Sequence, residues 1–249
     1  MIQPLIFLTF RIRITLKRPD MNDSLPPQRQ IRSFVRREGR ITPAQMQALE
    51  QLLPRYGIPA QPRQLDMITL FGRSAPVGLE IGFGNGEHLA SLALARPDWN
   101  FIGLEVYRPG VGKLLQALAA QHCDHVRVES SDAQEFLRDR IAPDSLDAIY
   151  IQFPDPWHKK KHHKRRLIQT AFAEILRDRL KPGGELQLAT DWADYAEQMM
   201  EVLDALPGLR NLAGKGNFAP RPENRIPTKF ERRGTRLGHA VFDLTFRKQ

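Results

Sequence analysis

One glutamate and three glycines occupy every second position of one short segment, and this spacing is suited to holding a small cofactor. The residues are Glu80, Gly82, Gly84 and Gly86. Glycine at alternate positions lets a backbone turn sharply and approach a ligand closely. A carboxylate at this place would repel a pyrophosphate and favours a ligand with a cationic end. The ammonium and sulfonium groups of S-adenosylmethionine meet that requirement.

The glycine spacing also separates two classes of nucleotide-like ligand. Dinucleotide-binding folds carry G-x-G-x-x-G, in which the turn and a helix N-terminus receive a pyrophosphate. Residues 80–86 read E-x-G-x-G-x-G instead, and this pattern resembles the first motif of the Rossmann-like methyltransferases. Two other interpretations remain. One is an ordinary glycine turn between a strand and a helix, and the other is a nicotinamide dehydrogenase, which the spacing and Glu80 disfavour.

The apolar periodicity around this segment predicts an α/β protein. Short apolar runs that alternate with helical patterns indicate a mostly parallel, doubly wound sheet of the Rossmann-like class. The expected strands are 77–81, 100–106, 125–128, 146–153 and 185–190, and the expected helices are 87–95, 109–120, 133–140, 164–180 and 193–206. Residues 238–246 alternate polar and apolar side chains and predict an antiparallel strand at or near an edge. Earlier, Thr42-Pro43 is expected to cap a short helix with Met46, Leu49 and Leu53 on one face.

Acidic residues lie at the ends of all five predicted parallel strands. They are Glu80, Glu105, Asp132, Asp155 and Asp191. In a doubly wound sheet a ligand binds outside the carboxyl ends of the strands. Glu105 is placed to accept hydrogen bonds from ribose hydroxyls, and Asp132 from an adenine amino group. Clustered carboxylates repel one another unless a cation or a hydroxyl-rich ligand lies between them, so the pattern supports a cofactor crevice.

The loop after the fourth predicted strand combines a braced carboxylate with a run of basic residues. In Phe153-Pro154-Asp155-Pro156-Trp157 two prolines restrict the backbone around Asp155. Every residue of 158–166 is Lys, Arg or His. Beside a reaction crevice, such a run would grip the phosphates of a nucleic acid, although a solvated face is the simpler alternative. A histidine-rich metal site is disfavoured, because no carboxylate or thiol stands at ligand spacing.

The composition supports a polyanionic partner. The chain of 249 residues has 37 Lys and Arg against 28 Asp and Glu, a net charge of +9. A single cysteine, Cys123, excludes an internal disulfide and is typical of a reducing cytoplasm. No apolar run reaches the length of a membrane span. We expect residues 1–20 to be a leader or an overcalled start, 21–63 a basic arm and 64–249 the catalytic domain. Whether the arginines between 29 and 40 contact phosphates or only solvent is left open.

Four motifs together resemble the bacterial tRNA (guanine-N7-)-methyltransferase family. They are segment 80–86, the loop 153–157 with its basic tail, Thr190-Asp191-Trp192, and Thr228-Lys229-Phe230-Glu231. The similarity runs from about Gln28 to the last residue. The first motif is shared by many methyltransferases, whereas the combination of the other three is specific to this family.

The resemblance implies a Rossmann-like fold, S-adenosylmethionine as the methyl donor and a tRNA variable-loop guanosine, position 46, as the acceptor. It implies Asp155 as the catalytic residue. Cofactor binding would fall to Glu80, Gly82, Gly84, Glu105, Asp132 and Asp155. Substrate binding would fall to Lys159, Asp191, Thr228, Lys229, Phe230 and Glu231. The RNA backbone would meet Lys161, His162, His163, Lys164, Arg165 and Arg166. No metal is implied, and the oligomeric state, monomer or homodimer, stays open.

Methylation at guanine N7 makes modest chemical demands on these residues. N7 carries a lone pair and no proton, so catalysis is mainly positioning, and a fixed carboxylate would stabilise the positive charge gained by the ring. Which of Asp155, Asp191 and Glu231 holds the guanine edge is left open, as is whether Trp157 and Phe230 stack on a base or only pack. Two alternatives remain for the whole chain: an exocyclic-amine methyltransferase, and an RNA-binding protein that kept the fold without catalysis.

Overall fold

The computed structural model describes residues 39–222, 225–226, 231, 238 and 240–249. Its strands are β1 Val77–Ile81, β2 Asn100–Leu104, β3 Val126–Glu129, β4 Leu146–Gln152, β5 Leu180–Thr190, β6 Leu209–Asn211 and β7 Phe242–Lys248. Its helices are α1 Pro43–Tyr56, α2 Met67–Phe71, α3 Glu87–Ala95, α4 Arg108–Ala120, α5 Ala133–Arg140, α6 Thr170–Arg179 and α7 Ala193–Asp204. A 3-10 helix spans Lys160–Arg165. Among the helices described, none is long and apolar enough to cross a membrane.

The sheet has the strand order β3-β2-β1-β4-β5-β7-β6. The first five strands in that order are parallel, and β7 runs antiparallel to both β5 and β6. The order reverses between β1 and β4, which is where doubly wound sheets open a ligand crevice. The predicted fold class is therefore confirmed, including the antiparallel C-terminal strand, which lies one place inside the edge.

Two apolar layers cover the faces of the sheet. In β1 successive side chains point to opposite faces, and Val77, Leu79 and Ile81 join the layer formed with α5, α6 and α7. On the other face Phe101 and Tyr150 pack with side chains of α1, α3 and α4. The sheet is thus buried on both sides, which leaves its carboxyl-terminal edge as the place where strand-end residues reach solvent.

Helix α1 belongs to the second of these layers. Its capping box pairs Thr42 with Gln45, and Pro43 occupies the first turn, as the sequence predicted. The buried side chains are Ala48, Leu49 and Tyr56, whereas Leu53 is 37% exposed. The predicted apolar face through Leu53 is therefore wrong at that residue, because the helix turns Ala48 and Leu49 towards α4. This helix lies inside segment 21–63, and the division of the chain at residue 63 stays a prediction.

The predicted helix 164–180 is shorter than expected and begins only at Thr170. Residues 160–165 form the tighter 3-10 helix, and Arg166 then turns into the interior, which breaks the helical run. At the other end, Pro182-Gly183-Gly184 does not close a helix but lies within β5. A register shift opposite Leu146 and Ala148 accommodates these residues, and Gly183 adopts a φ of +83°.

Candidate active site

The loop after β1 needs its glycines for conformational reasons. Gly82, Gly84 and Gly86 have φ angles of +72°, +57° and +78°, a region that other residues rarely adopt. A Cβ at Gly82 would meet nothing within 4 Å, so the backbone there faces open space. A Cβ at Gly86 would lie 2.6 Å from Leu114 Cδ1, so the first residues of α3 pack closely against α4. The loop therefore combines an exposed backbone with a tightly packed base.

The start of α4 contacts the same loop. A Cβ built on Gly110 would lie 2.0 Å from the Gly84 carbonyl oxygen. On its other side α4 meets α1, where Gln45 Nε2 donates to the Pro109 carbonyl at 3.1 Å. Helix α4 thus packs directly against the glycine loop and is itself held by α1. The shape of the loop therefore depends on the absence of a side chain at Gly110.

Glu80 is a buried carboxylate in the interior of β1. It is 1% exposed, and its Oε2 lies 3.0 Å from Nδ1 of His88, which is 3% exposed. Tyr150 stands opposite Glu80 in β4 and packs edge-on against the His88 ring at 5.6 Å. Burial raises the pKa of Tyr150 to about 12, so its ring enters this cluster as a neutral phenol. The sequence predictions did not include His88, although a polar residue on an otherwise apolar helix face was a usable signal.

Glu105 follows β2 and joins two backbone segments. Its Oε2 accepts from the Gly84 N–H at 2.7 Å, and its Oε1 accepts from the Tyr107 N–H at 2.9 Å. Burial raises the pKa of this carboxyl, against the lowering effect of the backbone N–H groups of Tyr107 and Gly84. The carboxylate predicted to meet a ribose therefore also holds the glycine loop in place.

Asp132 lies after β3 and caps α5. Its Oδ1 accepts from the backbone N–H groups of Gln134 and Glu135, at 2.9 and 3.1 Å. The residue is half-buried at the carboxyl-terminal edge of the sheet, as predicted. Because both donors reach Oδ1, Oδ2 takes no part in this cap.

The loop after β4 is bracketed by two strained residues. Phe153 and Trp157 have φ angles of +52° and +47°, which for such bulky residues cost about 1–3 kcal/mol each. Between them, Pro154 and Pro156 restrict the backbone, and the Asp155 side chain is exposed. The Phe153 N–H donates to the Ala189 carbonyl of β5 at 2.8 Å. Strain of this kind persists where the surroundings fix the backbone, and it is concentrated at functional sites.

The basic run largely faces solvent, with one exception. Lys159, Lys160, Lys161 and Lys164 are exposed, and the Arg165 guanidinium lies 4.8 Å from the Trp157 ring centre. These positions suit contacts with phosphates. Arg166 is 2% exposed. Its predicted role at the RNA backbone is wrong, because its guanidinium is enclosed by protein groups.

The fourth motif of the resemblance is described only in part. Thr228, Lys229 and Phe230 lie outside the described residues. Glu231 is buried, and its Oε2 accepts from Arg225 Nη1 at 2.6 Å. Arg225 also lies 2.7 Å from Asp243 of β7 and 5.8 Å from the Phe153 ring centre. Arg225 therefore links Glu231 to the sheet and to the loop after β4, a contact that the sequence did not reveal.

Asp191 follows β5 on the same edge of the sheet and is half-buried. Its neighbour Trp192 packs edge-on against His158, with ring centres 4.1 Å apart. Four of the five predicted carboxylates thus follow adjacent parallel strands, whereas Glu80 lies one residue before the end of β1. Within the residues described, no three His, Cys, Asp or Glu side chains form a group that could hold a metal ion.

Comparison with known proteins shows the family to which the chain belongs. A family model described as "Putative methyltransferase" matches residues 74–244. The tRNA (guanine-N(7)-)-methyltransferase of Paraburkholderia xenovorans is 54% identical over 91% of this chain and 88% of its own. The chain belongs to this methyltransferase family. The enzyme of the same name from Stutzerimonas stutzeri is also 54% identical, over 89% of this chain and 93% of its own.

Solved structures show the fold that this family membership implies. The 16S rRNA methyltransferase KamB superposes with a TM-score of 0.54 over 78% of this chain and 99% of its own, at 16% identity. The aminoglycoside resistance methyltransferase NpmB1 gives 0.51 over 75% and 95%, at 19% identity. At such identities the likeness concerns the fold alone. It places this methyltransferase among the Rossmann-like class, as expected from the first motif.

The residues of the crevice fit S-adenosylmethionine, which this family membership confirms as the cofactor. The loop 82–86 contributes no basic side chain. Carboxylates at Glu105 and Asp132 are acceptors suited to hydroxyl and amino groups, and the open backbone at Gly82 admits a ligand. A dinucleotide would instead bring a pyrophosphate to a loop preceded by Glu80. The dehydrogenase interpretation is therefore wrong for this methyltransferase.

Proposed function

We propose that this methyltransferase transfers the methyl group of S-adenosylmethionine to N7 of a guanosine in tRNA, at position 46 of the variable loop. One observation carries the proposal. The strained loop 153–157 stands beside the glycine loop at the strand-order reversal and continues directly into an exposed basic helix. A cofactor crevice, a fixed carboxylate and a phosphate-binding surface are thereby adjacent. The relatives at 54% identity, which carry this activity in their names, support it. Because tRNA is a cytoplasmic substrate, we place the reaction in the cytoplasm.

The chemistry asks these residues mainly to position two partners. The bound cofactor supplies an electrophilic methyl group on sulfur. The N7 lone pair forms the new N–C bond as the S–C bond breaks, and the electron pair of that bond stays on sulfur. The guanine ring gains a positive charge and no proton has to be removed, so no general base is required. We assign to the Asp155 carboxylate the stabilisation of that charge.

We assign the predicted site residues to three groups, and for Thr228, Lys229 and Phe230 the assignment rests on the resemblance to the family alone. Glu80, Gly82, Gly84, Glu105, Asp132 and Asp155 form the cofactor side of the crevice. Lys159, Asp191, Thr228, Lys229, Phe230 and Glu231 form the substrate side. Lys161, His162, His163, Lys164 and Arg165 meet the RNA backbone. Glu231 already pairs with Arg225, which favours the exposed Asp155 over Glu231 for direct contact with the guanine edge.

Methyl transfer to unmodified tRNA tests the proposal. Wild type and Asp155→Asn are given cofactor labelled in the methyl group, and the RNA is then cleaved chemically at 7-methylguanosine to locate the label. We expect label at position 46 with wild type and at least a hundredfold slower transfer with Asp155→Asn. The cofactor affinity of the same variant, measured separately, distinguishes a slower methyl-transfer step from weaker cofactor binding. Label on an exocyclic amine would contradict the N7 assignment, and tRNA binding without transfer would support a non-catalytic RNA-binding protein.

A further inference from the structure

Arg166 is the largest of the fully buried side chains in the described part of the chain. It ends a run of nine basic residues, yet its guanidinium is surrounded by protein groups. Nη1 donates to Gln198 Oε1 at 2.7 Å, and Nη2 pairs with Asp194 Oδ2. The guanidinium also lies 4.8 Å from the Tyr195 ring centre. Burying a charge is costly unless its hydrogen bonds are supplied, and two residues of α7, Asp194 and Gln198, supply part of them.

The remaining donor of Arg166 reaches the loop after β4. Its Nε donates to the Pro156 carbonyl oxygen at 2.8 Å. Pro156 lies between Asp155 and Trp157, and Trp157 is held at a positive φ. A planar guanidinium delivers this bond in a direction fixed by its other contacts, whereas a lysine ammonium would not. The carbonyl next to Asp155 is therefore held by a side chain that α7 immobilises.

Arg166 also touches the surface assigned to RNA. Its Nη2 donates to His163 Nε2 at 3.1 Å, and His163 belongs to the 3-10 helix Lys160–Arg165. Gln169 Nε2 donates to the carbonyls of His163 and Arg166, at 3.0 and 3.3 Å. These two bonds fix the backbone at the C-terminal end of the 3-10 helix. The basic helix, the first turn of α7 and the loop that carries Asp155 thus meet at one guanidinium.

We propose that Arg166 is a positioning residue for methyl transfer, which holds the Asp155 loop through the Pro156 carbonyl and joins it to the RNA-binding helix. The proposal deepens the proposed function and rests on it, because it assumes that Asp155 acts in the reaction. It differs from a contact with RNA, since Arg166 is enclosed. It also differs from a purely structural ion pair, since it makes loop geometry and methyl-transfer rate depend on one hydrogen bond.

Arg166→Lys is the central variant, because it keeps the charge and removes the Nε donor. Arg179→Lys is the matched control: Arg179 Nε likewise donates to a backbone carbonyl, that of Leu137, at 2.8 Å. Single-turnover methyl transfer, cofactor affinity and amide hydrogen exchange of residues 152–158 are measured for both. For Arg166→Lys we expect transfer to slow by about 100-fold, as for a reacting group displaced by about 1 Å. Cofactor affinity should stay within about twofold, and exchange in the loop should accelerate. Arg179→Lys should match wild type in all three.

A second variant covers the case in which Arg166→Lys folds poorly. Asp194→Asn removes the negative charge that pairs with Arg166. The Asp194 side chain is 59% exposed, so the fold should tolerate this change. We expect a smaller loss of rate in the same direction. The double variant should be no slower than Arg166→Lys alone, because both changes act on one contact. Additive losses would overturn the proposal.

Two further outcomes would also overturn it. Transfer within twofold of wild type together with unchanged exchange in Arg166→Lys would show that the bond does not position the loop. A salt dependence of tRNA binding reduced by about one unit of log–log slope in Arg166→Gln would show a direct phosphate contact. Hydrogen exchange needs no substrate, so it reports on the loop even if wild type fails to methylate tRNA, and failure of the proposed function is then distinguishable from failure of this proposal.

Discussion

Glu80 and His88 are eight residues apart in sequence and meet inside the protein, with Glu80 Oε2 3.0 Å from His88 Nδ1. The strand and the helix that flank the glycine loop are thereby joined by one buried polar contact. A carboxylate that is 1% exposed needs such a partner, because an unsatisfied buried acceptor is costly. The pair therefore supports the shape of the glycine loop between β1 and α3.

His88→Leu should destabilise the protein, because it leaves the Glu80 carboxylate buried without this donor. We expect the free energy of unfolding to fall by about 1–3 kcal/mol in urea titrations. His88→Asn is the matched control, since its amide places a donor close to the position of Nδ1. It should recover at least half of the loss, and equal losses in the two variants would contradict the role of the hydrogen bond.

Gly110→Ala should weaken cofactor binding more than it weakens the fold. Its Cβ would lie 2.0 Å from the Gly84 carbonyl, so the glycine loop has to move. Overpacking of this kind costs about 1–3 kcal/mol, and we expect calorimetry to show cofactor affinity reduced by at least tenfold. In Gly112→Ala the new Cβ would lie 2.8 Å from the Gln45 carbonyl of α1 instead. That variant should lose stability and keep its affinity, so a similar drop in affinity in both would argue against a specific effect.

Asp132→Asn should separate the two roles of this residue. Asparagine is as good an N-cap as aspartate, so the free energy of unfolding should change by less than about 0.5 kcal/mol. With Oδ1 occupied by the Gln134 and Glu135 N–H groups, the new amide nitrogen would face the adenine amino group. Two donors would then oppose each other, and cofactor affinity should fall. Asp132→Ala should lose both affinity and about 1 kcal/mol of stability.

Glu105 should make stability decline with rising pH. Burial raises the pKa of this carboxyl above its ordinary 4.5, and the Glu80 charge adds to the effect. The folded protein therefore holds the proton more tightly than the unfolded chain, so the contribution of Glu105 is fully present below pH 4.5. It diminishes as the pH rises from there through the folded-state pKa. The free energies of unfolding of wild type and Glu105→Gln are compared between pH 4 and pH 8. We expect the wild-type value to fall relative to that of the variant as the pH rises, and a constant difference would contradict the argument.

Lys164→Gln should lower the salt dependence of tRNA binding. Lys164 is exposed on the 3-10 helix, and each phosphate contact contributes about 0.7–0.9 to the log–log slope. Lys164→Arg preserves the charge and should leave the slope unchanged. Unchanged slopes in both variants would show that this face of the helix is only solvated.

The elements around the cofactor crevice could be predicted because their signals are local. Helices α3 and α5 begin and end where the sequence placed them, since apolar spacing and the flanking Gly86 and Asp132 mark their starts. The carboxylates that follow β2, β3, β4 and β5 could be predicted from where each strand ends along the chain. These features depend on residues within one or two turns of each other.

The missed features depend on partners far away in sequence. Arg166 ends a charged run that is typical of a solvated face, and only Asp194 and Gln198, 28 and 32 residues later, make its burial possible. Arg225 likewise pairs with Asp243, 18 residues later in sequence. Strand β6 is three residues long, too short to show a period. Buried charges are thus the part of this site that sequence patterns conceal.

The position of β7 has a consequence for synthesis of the chain. Strand β7 follows β6 in sequence but lies between β5 and β6 in the sheet. While a ribosome is still adding residues before Phe242, residues 185–190 of β5, which later pair with β7, form an unpaired edge and β6 has no neighbour. Such an edge can pair with other chains. Newly made molecules therefore remain open to association until β7 is released, after which insertion of one strand closes the sheet.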